Sequence, residues 1–113
     1  MASDLDNETW IVEAGYAVIQ KEAFSGAAAL SALERLIYCL WVADYGMRNA
    51  GDLETARDLY EPFQQEAAHY AKQLGLDFTH ESFALPTASL ADEYFERLDR
   101  ICTEIKLSHQ QHY

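Results

Sequence analysis

Apolar residues recur at helical spacing along nearly the whole of this chain, and very little in it can interrupt a helix. Only two prolines and five glycines punctuate 113 residues, and between them apolar side chains return every three or four positions. That rhythm restricts the fold to helices packed on helices, because no stretch holds the two-residue period of a half-buried strand. Half of the residues are hydrophobic and 12% are aromatic. A single all-α domain spanning residues 1–113 can therefore bury a core without covalent staples.

The spacing predicts four main helices. The first runs from about Glu8 to Phe24, with Asn7 as its N-cap, Trp10, Ile11, Ala14 and Val18 on one stripe, and a break at Ser25-Gly26. The second, about Ala27 to Arg48, is apolar around much of its circumference through Leu30, Leu33, Leu36, Ile37, Cys39, Leu40, Trp41 and Val42. Such a helix is either central to a core or shared with a second subunit. Asn49-Ala50-Gly51 ends it, with Gly51 placed for a left-handed C-cap.

Asp52 is read as the cap of a third helix whose stripe is Leu53, Ala56, Tyr60, Phe63, Ala67, Tyr70 and Leu74. The stripe crosses Pro62 in phase, which predicts one helix kinked there or two nearly coaxial pieces; Gly75 stops it. From Leu76 to Thr87 the pattern fails and a loop is expected, laying Phe78, Phe83 and Leu85 on the core. Ser89 and Asp92 resemble a capping box opening the last helix, with Leu90, Tyr94, Leu98, Ile101 and Ile105 inward.

Charge narrows the function. Nineteen acidic residues against eight basic ones give a net charge of −11. Such a surface repels nucleic acid and anionic lipid and attracts basic protein surfaces, while also serving solubility. Met1 to Asn7 carry Asp4 and Asp6 and no apolar run, unlike a signal peptide. The most apolar stretch, Leu36 to Val42, is too short to cross a bilayer. Cys39 and Cys102 have neither zinc spacing nor an activating context, and read as reduced core thiols. A cytoplasmic chain is the expectation.

Few residues carry a catalytic or ligating pattern. Glu66 and His69, at i and i+3, are the sharpest: in di-iron bundles such a pair ligates metal, but those sites need two copies and further glutamates. Glu13, Glu34 and Glu104 are the candidate partners, so the pair stands as an alternative only. His109 and His112 read as a solvated tail. No nucleophile motif or glycine-rich phosphate loop is present, and neither an enzyme nor a cofactor is expected.

Asp44 continues the stripe of the second helix, which aims a carboxylate at the core. It needs donors, which Arg48, Tyr38 or Tyr45 can supply, and reads as an internal polar clamp at the corner before the third helix. Two lines of carboxylates complete the inventory: Glu54, Asp58 and Glu61, then Asp92, Glu96 and Asp99. In each, the i, i+4, i+7 spacing gives intervals of about 6 and 4.5 Å along a helix axis, loosely comparable with phosphates advancing about 3.4 Å per strand along a duplex. Arg57, Arg97 and Arg100 lie among them, with Glu93–Arg97 and Glu96–Arg100 as ordinary i, i+4 pairs.

The segment Asp44-Tyr45-Gly46-Met47-Arg48-Asn49-Ala50-Gly51 after an apolar helix, the aromatic-rich helix ending in Leu74-Gly75-Leu76, and the late Tyr94-Phe95-Glu96-Arg97-Leu98-Asp99 together resemble the bacterial DNA-mimic protein family of small acidic all-α proteins. The family pattern has Asn-Gly-Gly and an aromatic where this chain has Asn49-Ala50-Gly51-Asp52-Leu53. The resemblance implies an acidic helical homodimer that covers the DNA-binding surface of a basic protein. Asp44, Arg48, Asn49 and Gly51 would then be structural. The functional expectation is a non-enzymatic interaction protein whose acidic face docks a basic partner, such as a transcription regulator or a toxin. The alternatives are a metal-binding bundle and a structural subunit of an assembly.

Overall fold

The computed structural model describes residues 4–112, with side chains from 7 to 110. It consists of α1 (Asp4–Ser25), α2 (Ala32–Ala50), α3 (Glu54–Leu59), α4 (Phe63–Gln73), α5 (Asp77–Phe83) and α6 (Thr87–His112), with a 3-10 turn at Ala27–Ala29 between the first two. The fold is all-α, as the spacing predicts, but six helices replace the expected four.

The organising element is α2. It begins at a capping box: Ser31 Oγ accepts from the Glu34 amide at 3.1 Å, and Glu34 Oε1 accepts from the Ser31 amide at 2.8 Å, so two amides without helical partners are satisfied together. It ends at Gly51, whose left-handed backbone (φ 72°, ψ 15°) returns its N–H to the Met47 carbonyl, a turn that costs glycine little. Between these ends Leu33, Leu36, Ile37, Cys39, Leu40, Val42 and Ala43 are buried. Much of the apolar circumference of α2 is covered within the chain, since α1, α3, α4 and α6 all pack on it.

Two glycines permit close helix contacts. A Cβ at Gly15 would lie 2.4–2.8 Å from the Trp41 side chain, so its absence lets the indole seat against α1. At Gly46 a Cβ would meet the Ala56 amide nitrogen at 2.8 Å and the Asp52 carbonyl at 3.0 Å; α2 and α3 touch there backbone to side.

Of the two arrangements expected at Pro62, the structure has two separate helices and not one kinked helix. α3 stops at Leu59, Tyr60 is extended (φ −153°, ψ 94°), and Pro62 stands immediately before α4, where its missing N–H has no helical partner to lose. The stripe kept phase because Ala56, Phe63 and Ala67 all face the core. Periodicity records which side is buried, not whether the backbone is continuous.

The expected loop from 76 to 87 contains α5, with Thr79, Ser82 and Phe83 buried. Seven residues are too few to display a helical period, and the helix is held from elsewhere: Glu104 of α6 accepts from the amides of Phe78 (3.1 Å) and Thr79 (2.7 Å) and from the Thr79 hydroxyl (2.7 Å). A carboxylate 26 positions downstream thus caps its first turn. Gln64 ties down the next corner, donating to the Phe83 and Leu85 carbonyls and accepting from Thr87 Oγ1.

Two expected caps are corrected. α6 begins at Thr87, directly after Pro86, ahead of the Ser89-Asp92 pair. Asn7 is not a cap but lies inside α1, buried, donating to Asp99 and accepting from Lys106 at 3.1 Å each, which pins α1 to α6. Asp52 does accept from the Thr55 amide at 3.2 Å. No helix among the described residues is long and apolar enough to cross a membrane.

Candidate functional site: carboxylate faces around a buried clamp

Asp44 is buried, 4% exposed, and its donors are Arg48 and Tyr94 rather than Tyr38 or Tyr45. Arg48 Nε donates to both carboxylate oxygens at 3.1 and 2.9 Å, and the Tyr94 hydroxyl donates to Oδ1 at 2.7 Å. Tyr94 comes from α6, which spacing along α2 has no means of revealing. The clamp therefore joins α2 to α6, not α2 to α3. Beyond it, Arg48 Nη1 lies 3.6 Å from Glu8, and the guanidinium stands 5.2 Å from the Phe95 ring centroid. Arg48 Nη2 is buried without an acceptor. Asn49 donates to the Tyr45 carbonyl one turn back at 2.8 Å, and with Gly51 closes α2.

Burial raises the Asp44 carboxyl above its ordinary value, opposed by the Tyr94 hydrogen bond and the Arg48 charge. Burial, then the Asp44 charge, pushes the Tyr94 phenol well up. Arg48, with burial opposing, is raised by Asp44. Both Asp44 oxygens are engaged, and the cluster is a structural joint between α2 and α6.

The two predicted carboxylate lines are only partly assembled. Glu54 and Asp58 are exposed one turn apart on α3, but Glu61 falls in the turn beyond the extended Tyr60 and does not continue their line. On α6, Asp92 and Glu96 are exposed on the outer face. Asp99 turns towards α1, where it accepts from Asn7. Each line of three is therefore a pair plus one carboxylate held elsewhere.

The arginines that interrupt the α6 line are drawn aside. Arg97 pairs with Glu93 at 3.0 Å, donates to Ser82 at 3.1 Å and lies over Phe78. Arg100 also lies over Phe78, 4.2 Å from the centroid, and the expected Glu96–Arg100 pair is not among the four ion pairs of the described residues. Phe78 of α5 thus collects both guanidinium groups, and neither Asp92 nor Glu96 belongs to an ion pair among the described residues. Apolar spacing alone has no route to this contact, because it depends on α5.

Glu66 and His69 do not build a centre. Both Glu66 oxygens accept from the Tyr60 hydroxyl at 2.8 Å, which with burial raises the Tyr60 phenol. His69 is exposed, with its ring edge against Tyr70. Glu34 serves the capping box and Lys21, Glu104 serves α5, and Glu13 is exposed. Among the described residues no three His, Cys, Asp or Glu side chains are grouped to hold a metal. Cys39 and Cys102 are buried free thiols, and burial pushes Cys102 up to about 12, far from a reactive thiolate.

Comparison with protein-family models, with curated proteins and with solved structures finds no match.

Proposed function

We propose that this chain is a non-enzymatic, cytoplasmic interaction protein whose exposed carboxylates dock the basic surface of a partner protein, of the kind a DNA-binding regulator presents. The observation that carries this reading is the separation of charge on α6: Arg97 and Arg100 are gathered onto Phe78 while Asp92 and Glu96 face outwards uncompensated. Glu54 and Asp58 add a second exposed pair on α3. A net charge of −11 extends that field beyond contact distance and speeds encounter with a basic surface. DNA mimicry is the finer version of the reading. It rests on the two carboxylate pairs, since Glu61 and Asp99 leave their lines.

The test is binding from lysate at low salt followed by a salt step. A basic protein retained at about 50 mM salt and released at several hundred millimolar is expected, because exposed charge pairs are screened over about 3 Å at 1 M. Asp92→Asn with Glu96→Gln should weaken retention, and duplex DNA should compete for the same partner. A folded protein that retains no basic protein refutes the reading.

A further inference from the structure

Inside a rim of carboxylates, one face of the protein exposes apolar and aromatic side chains. α1 is apolar on two sides: Ile11 and Val18 enter the core, while Val12 (51% exposed), Tyr16 (52%) and Ile19 (37%) form a second stripe at i, i+4 and i+7. Beside it, Tyr38, Trp41 and Tyr45 run along α2 with ring centroids 6.1 and 5.8 Å apart, and Tyr60 extends the ladder with its centroid 5.3 Å from that of Tyr38. The two sets are continuous. Val12 lines both a groove of about 230 Å³ with Trp41 and Tyr45 and a shallower one of about 420 Å³ with Glu13 and Tyr16. Contiguous exposed apolar side chains of this kind commonly mark an interaction site. Half-buried Tyr and Trp, already held by their neighbours, are also the residues that anchor interfaces at low ordering cost.

The charges around this face select the occupant. Glu8, Glu13 and Glu22 rim it. Its cations are engaged inside the chain: Lys21 with Glu34, Arg35 with the Ala27 and Leu30 carbonyls, and Arg48 with Asp44. Neither Glu13 nor Glu22 belongs to an ion pair among the described residues. A second copy would bring a matching set of carboxylates against this rim, which like-charge repulsion disfavours. A basic helix with one apolar stripe would fill the grooves and neutralise the rim at once. We infer that the α1–α2 aromatic face receives a basic amphipathic helix of the partner. This rests on the proposed function and adds to the α3 and α6 carboxylates a second, apolar contact for the same partner.

The probe is a Leu/Lys amphipathic peptide of about 18 residues, five helical turns, against a peptide of the same composition whose stripe is scrambled. Binding is read by titration calorimetry at low salt, and oligomeric state by sedimentation. The amphipathic peptide is expected to bind at least about tenfold tighter than the scrambled one, a difference of about 1.4 kcal/mol. Tyr16→Ser with Ile19→Ser, both exposed and so compatible with folding by circular dichroism, should remove that advantage and leave scrambled-peptide binding unchanged. Equal binding of the two peptides overturns the inference while the charge-based reading stands. A dimer that the double variant dissociates overturns it by giving the face to a second copy. No binding of either peptide overturns both.

Discussion

Cutting Asp44→Ala removes the acceptor shared by two buried or half-buried donors, and its cost follows from what each is left with. Tyr94 is fully buried and its hydroxyl donates only to Asp44. Orphaning it costs about 1–3 kcal/mol. Arg48, 22% exposed at its side chain, keeps Glu8 at 3.6 Å and the Phe95 ring, so it loses a good ion pair without being stranded. Relief of the buried carboxylate's desolvation offsets part of this. The net is about 3 kcal/mol, at the low end for one partner of a buried pair. For a domain of this size that lowers Tm by roughly 10–15 °C.

The assay is urea unfolding of Asp44→Ala, Tyr94→Phe and the double variant. Tyr94→Phe alone should cost about 1 kcal/mol. The double variant should cost at least about 1 kcal/mol less than the sum, because the orphaned hydroxyl is gone. The pH dependence has a definite sign. A carboxyl raised in the folded state adds stability that is complete below its unfolded value and is lost as pH rises through the folded one. The advantage of wild type over Asp44→Asn should therefore narrow from acid towards neutral pH. An Asp44→Ala variant within about 0.5 kcal/mol of wild type, as for an ordinary surface change, or strict additivity with Tyr94→Phe, refutes the clamp.

Gly46→Ala sets propensity against packing: alanine gains about 1 kcal/mol in a helix, but its Cβ would press on the Ala56 backbone nitrogen at 2.8 Å, and overpacking against backbone costs about 1–3 kcal/mol. Net destabilisation by thermal melting is expected, and a variant more stable than wild type refutes the close approach. Glu34 has the opposite pH sign to Asp44. Burial opposes its ionisation, but the Ser31 amide and Lys21 outweigh it and leave the carboxyl lowered. Its stability is present above the unfolded value and lost as pH falls through the folded one. The gap between wild type and Glu34→Gln in urea melts should be open at about pH 6 and narrow as the pH falls below the unfolded carboxyl's value.

The sequence by itself determined the secondary-structure class, the inward stripes and the net charge. Apolar periodicity is a local signal: Leu36, Leu40, Phe63 and Leu98 are buried because their neighbours three and four positions away share their side of a helix. Gly51 could be placed in a left-handed turn for a similarly local reason. The capping box of Ser31 and Glu34 is a local signal too, yet apolar spacing alone puts the start of that helix at Ala27. Tertiary structure decided everything that depends on partners far along the chain. Whether the stripe through Pro62 was one helix or two turned on a single extended residue, Tyr60. α5 exists as a helix capped by Glu104, and only with α5 present does Phe78 draw Arg97 and Arg100 away from the outer carboxylates. The second donor to Asp44 lies 50 positions away on another helix. Spacing encodes which face of a helix turns inward, but a polar side chain acquires its partner only when two helices meet, and for Asp44, Asp99 and Glu104 that meeting sets the role.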